Sequence, residues 1–222
     1  MKFLIVFIFA ILFFASCGTR KNATIQDPAT FDEGVVINGI RWATRNVDAP
    51  GTFAESPESF GMFFQWNRRK GWSAVDRDVE GWDNTDAGGA KWYAKNDPCP
   101  EGWRVPTAME LRSLNNARSR WITQNGVYGR TFGNRRNQIF LPATGWRIGG
   151  DNGRIIHKGD WGLYWSNDGM LIYEAGPSFC CILCSPSSNE PIAMYLLFGL
   201  LRNIMNATNE RTDAFPIRCV AK

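Results

Sequence analysis

The chain has 222 residues, 44% of them apolar, with ten tryptophans and fifteen phenylalanines, which is enough to bury one sizeable core. Its 25 basic and 21 acidic residues are spread along the chain, without the clustered cationic face of a nucleic-acid binder. A single histidine, accompanied by no nucleophile motif, argues against a catalytic triad.

The opening MKFLIVFIFAILFFASC has one lysine, an apolar run from Phe3 to Ala15, and small residues just before Cys17. Such a run suits the core of an export signal and is shorter than the roughly 20 residues of a spanning helix. Ala15, Ser16 and Cys17 are similar to a lipobox, so residues 1–16 are expected to be removed and Cys17 acylated; ordinary signal-peptide cleavage with a free Cys17 is the alternative. Removing residues 1–16 takes away one lysine, leaving 24 basic against 21 acidic residues. Residues 17–32 are short, polar and aperiodic, as a tether should be, and residues 33–222 are expected to form one domain.

Within that domain, Gly34 onward reads GVVINGIRWATRNV, two strand-like runs around Asn38-Gly39, a pair that accepts positive φ at both turn positions. The next stretch, to Trp72, reads as loop plus a buried aromatic segment, and residues 73–94 as polar and turn-rich with Trp82 and Trp92 as anchors. Thr107 and Glu110 have capping-box spacing, which predicts a helix from about residue 107, with Leu111, Leu114 and Trp121 on one face. Downstream, QIFLPATGWRIGGDNGRIIHKGDWGLYWSND, IAMYLLFGLL and AFPIRCVA read as strands separated by glycine-rich turns. The balance predicts an α+β class, strand-dominated, with one or two helices and long loops.

The blocks WATRNV, DPCPEGWRVPTAMEL, LPATGWR, GLYWSND and AFPIRCV, in that order, resemble the Fibrobacter succinogenes major paralogous domain of bacterial surface lipoproteins. The resemblance spans roughly residues 34–222 and implies a C-type-lectin-like fold, in which N- and C-terminal strands pair. It also implies a disulfide between Cys99 and Cys219, an outer-membrane lipoprotein facing the cell surface or the periplasm, and a binding role.

With Cys17 modified, five cysteines remain, an odd number for an exported chain. Cys180, Cys181 and Cys184 leave four readings open: a disulfide with a spare thiol, free thiols, a thiolate metal site completed by His157, or a redox pair. Phe179, Ile182 and Leu183 put apolar groups on what reads as a loop, and in this they resemble surfaces randomised by diversity-generating retroelements. Asn189-Glu190-Pro191 and Trp165-Ser166-Asn167-Asp168 are close in letters to lectin calcium triplets but wrong in order or spacing, so no metal or cofactor is expected.

The arginine and lysine runs Arg68-Arg69-Lys70 and Arg135-Arg136 read as solvated loop charges, and Trp146, Trp161 and Trp165 as core. The expected role is a lipid-anchored binding module, not an enzyme, that displays loops 147–157, 167–190 and 202–211 to a glycan or protein. Candidate ligand-binding residues are Asn167, Asp168, Phe179, Asn189, Glu190, Asn203 and Asn206. A structural or assembly subunit of a pilus or envelope complex is the alternative.

Overall fold

The computed structural model describes residues 27–75, 79–170, 191–200 and 205–222. Strands dominate: β1 (Val35–Ile37), β2 (Ile40–Trp42), β3 (Phe63–Gln65), β4 (Gly71–Trp72) and β5 (Trp103–Arg104) precede the helix α1 (Ala108–Ser113). After it come β6 (Ser119–Gln124), β7 (Val127–Gly133), β8 (Gln138–Pro142), β9 (Trp146–Ile148), β10 (Arg154–Ile156) and β11 (Trp161–Met170). The chain closes with β12 (Ile192–Gly199), β13 (Met205–Glu210), β14 (Ala214–Phe215) and β15 (Val220–Ala221). They form four sheets, ordered β1-β2-β15-β5, β10-β9-β14-β3-β4, β11-β12-β13 and β6-β7-β8.

Asn38 and Gly39, at φ 51° and 80°, turn β1 onto β2 as their sequence predicts. The capping box is present at Thr107: its hydroxyl accepts from the Glu110 amide at 3.1 Å, and the Glu110 carboxylate accepts from the Thr107 amide at 2.7 Å. The helix runs only six residues, so Trp121 does not lie on it but sits in β6. A second Asn-Gly pair, Asn125-Gly126 at φ 48° and 80°, folds β6 onto β7, and the stretch expected to be loop plus a buried aromatic segment contributes β3 and β4, with Phe63, Phe64 and Trp72 buried.

The β11–β12 hairpin is covered on both faces. Leu163, Trp165, Tyr195 and Leu197 join one core with Phe215, Ile217 and both bridged cysteines, while Tyr164, Leu196 and Phe198 join another with Trp42, Leu111 and Phe132. Burial on both faces explains why these strands read as apolar runs rather than as alternating patterns.

The domain's ends meet where β2 pairs with β15 at Trp42 and Val220. Beside that pairing a Cys99–Cys219 disulfide links positions 120 residues apart, with Cα atoms 6.1 Å from each other and both cysteines buried.

Among the described residues three arginines are fully buried: Arg147, Arg211 and Arg218. Each donates to backbone carbonyls. Arg218 bonds Ala43, Thr44 and Phe140 carbonyls and the Asn46 side chain, stitching the first strands to the last. Burial pushes its pKa down to about 10 and that of the neighbouring Tyr164 phenol up to about 12. Arg211 bonds the Ile192, Ala87 and Met170 carbonyls and lies 4.1 Å from the Trp66 ring, closing the base of the segment between β11 and β12. A β-carbon at Gly169 would come within 2.5 Å of that guanidinium.

Candidate functional site

Of the seven candidate ligand residues, two are described with their side chains, and both hold the frame together. Asn167 pairs through its backbone with Pro106 and Trp92. Asp168 accepts from the Ala108 amide at 2.6 Å, at the first turn of α1, and from the Lys91 ammonium. Asn206 lies on β13 opposite Leu196. Phe179, Asn189, Glu190 and Asn203, together with Cys17, Cys180, Cys181 and Cys184, lie outside the described residues.

All three expected display loops carry regular structure where they are described, residues 167–170 being the end of β11. Residues 205–210, within the expected loop 202–211, form β13 along β12. Residues 147–157 form most of the β9–β10 hairpin, and Arg147 at its start is buried rather than displayed. The tip of this hairpin, at residues 150–152, Arg154 and, at its far end, His157 stand in solvent. Among the charge runs, Arg68 bonds Thr85 and Asp83, Arg69 bonds the Asp97 carbonyl, and the Lys70 ammonium sits 3.8 Å from the Trp72 ring, so these groups brace a loop.

The tip of β9–β10 packs against Trp82, and beside that contact lies an open cleft of about 530 Å3 lined by Val79, Gly81, Trp82, Asp151, Asn152 and Arg154. Its walls come from segments some 70 residues apart, and Arg147 joins them. Its guanidinium donates to Ser73 O at 2.9 Å and Val75 O at 2.8 Å on the Trp82 side, and to Gly153 O on the hairpin side. The Gln65 amide adds a second tie, donating to Asp83 O at 2.5 Å and Thr212 O at 2.8 Å.

Trp82 packs on Trp72, with centroids 4.8 Å apart and planes at 37°, and Gly153 lies against its ring: a β-carbon there would come within 2.3 Å of Trp82 Cε3. Gly153 at φ 73° and Asn152 at φ 46° make the left-handed turn that brings the tip back over the indole. At the rim, Arg154 Nε bonds Asp151 Oδ2 at 2.5 Å. Both side chains are more than half exposed, so the pair orients the guanidinium more than it stabilises the fold.

Below the tip, the Gly149 amide donates to Asp213 Oδ1 at 2.7 Å, and the Asn209 amide to Oδ2 at 2.5 Å. Burial pushes the Asp213 carboxyl up to about 6; the Gly149 amide pulls against that shift, and the Glu210 carboxylate adds to it. The tip thus rests on a buried acid. Chemically, the cleft offers an aromatic floor with a carboxylate, an amide and a guanidinium at its edge, the donor and acceptor set that suits vicinal hydroxyls or a polar loop.

Comparison with protein-family models, with curated proteins and with solved structures finds no match.

At the opposite end of the same hairpin, His157 stacks against Trp146, with centroids 5.2 Å apart, and against Trp161, at 4.9 Å. Trp165 is fully buried, whereas Trp146 and Trp161 are half-buried, so one of the three expected core tryptophans is core throughout. The cleft has no continuous signature in the sequence, because its two walls are distant in chain order. The glycine-rich GGDNG was the only local signal of it.

Proposed function

We propose that this chain is an outer-membrane lipoprotein acylated at Cys17, whose C-type-lectin-like domain binds an external glycan or protein ligand in the cleft between Trp82 and the β9–β10 tip. The observation that carries this reading is a cleft with exposed polar side chains held by buried braces: Arg147, Asp213 and Gln65 fix its walls while Asp151, Asn152 and Arg154 are left to solvent. A prearranged site of this kind loses little conformational entropy on binding. The fold assignment is supported by the β2–β15 pairing of the domain's ends, the disulfide beside it, and a capped helix between early and late strands.

The experiment is a panel of glycans and envelope proteins against the purified full-length protein, the Asn152→Gly variant and the Arg154→Ala variant. Glycine suits the positive φ of residue 152, so Asn152→Gly removes the amide without straining the turn. The expected result is a ligand whose affinity falls about tenfold in either variant. A ligand bound equally by all three proteins would place the site elsewhere.

A further inference from the structure

We infer that the rim where β11 begins is a second binding surface, and that its ligand is an acidic polysaccharide: sugar rings lie against Tyr128, Trp161 and His157 while carboxylates meet Arg130 and Lys158. Side chains two apart on β7 share a face, so Phe132, Arg130 and Tyr128 form one column. Phe132 is in the core, 5.7 Å from Phe198, and Tyr128 is 54% exposed, so the column runs from the core out to the rim. There a β-carbon at Gly159 would lie 3.9 Å from the Tyr128 ring, which joins β7 to the turn carrying His157, Lys158 and Asp160. Trp161 pairs with Gly199, and the next residue, Leu200, is 62% exposed.

The charge on this surface points to the ligand. Arg130 is half-buried and donates to Gly199 O at 3.0 Å and Ser119 Oγ at 3.2 Å, while its Nε is buried without a hydrogen-bond partner. Among the described residues no carboxylate forms an ion pair with Arg130 or with Lys158, whose ammonium is exposed and lies 5.5 Å from the Phe60 ring. Of the nearby acids, Glu58 already accepts from Gln124 and Asn125, and Asp160 points into solvent from its turn. A partly desolvated cation without a counter-ion favours an anion that brings one.

The aromatic side chains argue for a sugar over a lipid surface. Trp146 and Trp161 are half-buried and braced on His157 with planes within 21° of it, so they form a ledge, not projecting anchors. A ledge of ring faces beside cations fits the apolar face of a pyranose that carries a carboxylate.

The test uses the full-length protein with oligogalacturonate, its methyl ester, and phosphatidylglycerol vesicles. The ester keeps the rings and removes the charge. The expected result is saturable binding of oligogalacturonate, about tenfold weaker for the ester, and weakened about tenfold by Tyr128→Ala and by Arg130→Gln. Lys158→Gln, at an exposed position, gives the charge readout should Arg130→Gln fail to fold. Asn152→Gly binds oligogalacturonate as the unmodified protein does, which separates this surface from the cleft. Equal binding of acid and ester, binding to vesicles alone, or no binding to any of the three would overturn the inference.

Discussion

Breaking the Cys99–Cys219 bond should cost this domain more stability than any other single change. The bond closes 120 residues of chain, so its removal restores loop entropy to the unfolded ensemble worth about 5 kcal/mol in the chain-entropy treatment. The bonded sulfurs are part of the main core with Trp103, Ile217 and Phe215, so the entropic gain is not offset by solvating an exposed site. Around them, Asp97 accepts from the Cys99 and Val105 amides, and the Cys219 carbonyl accepts from the Ala43 amide; these contacts survive in a Cys99→Ala/Cys219→Ala double variant. For a domain of this size the loss corresponds to a fall in Tm of about 10 to 20 °C. Equilibrium denaturation of both proteins, followed by tryptophan fluorescence, measures it. A double variant within about 1 kcal/mol of the parent would refute the view that this bridge sets the frame.

Four further outcomes follow from named contacts. Asp213 has a pKa raised to about 6 in the folded state against an ordinary 3.8, so its contribution is full below about pH 4 and is lost as pH rises through 6. The shift is worth about 3 kcal/mol, and Asp213→Asn should flatten stability between pH 4 and 6.5 in parallel pH-denaturation series. Gly153→Ala sets a β-carbon 2.3 Å from the Trp82 ring at φ 73°, and calorimetry should show a loss of at least about 2 kcal/mol, with ligand binding in the cleft lost. Thr107→Ala removes half of the capping box and should cost about 1 kcal/mol in urea denaturation. Met170 and Ile192 are antiparallel partners clamped by Arg211, so replacing residues 171–191 with Asn-Gly should leave Tm within about 5 °C; a collapse of Tm would show that the frame depends on that segment.

Local signals were legible in the sequence and long-range ones were not. Asn38-Gly39, the Thr107 and Glu110 spacing, and the apolar runs of β11 and β12 each report a conformation that neighbouring residues decide, and each is found where expected. Trp121 continues the apolar spacing of a helix face, but a strand satisfies that spacing as well after the turn at Leu114–Asn116. Arg147, Arg211 and Arg218 look like surface charges in one dimension. Their partners are carbonyls far along the chain, as distant as the 175 residues between Arg218 and Ala43, and no local pattern encodes such a pairing. The candidate site shares that difficulty: GGDNG announces a turn, but only long-range contacts, Arg147 with Ser73 and Val75 and Gly153 with the Trp82 ring, bring the two walls together.

The most direct measurement is a titration of the full-length protein, its tryptophans labelled with nitrogen-15, with whichever ligand the binding panel selects. Ten tryptophans give separable indole signals, which Trp82→Phe assigns. A ligand that occupies the cleft shifts the Trp82 indole resonance, and Asn152→Gly reduces that shift at a given ligand concentration. A ligand that binds while Trp82 stays unmoved and another indole responds would contradict the assignment of the cleft as the binding site.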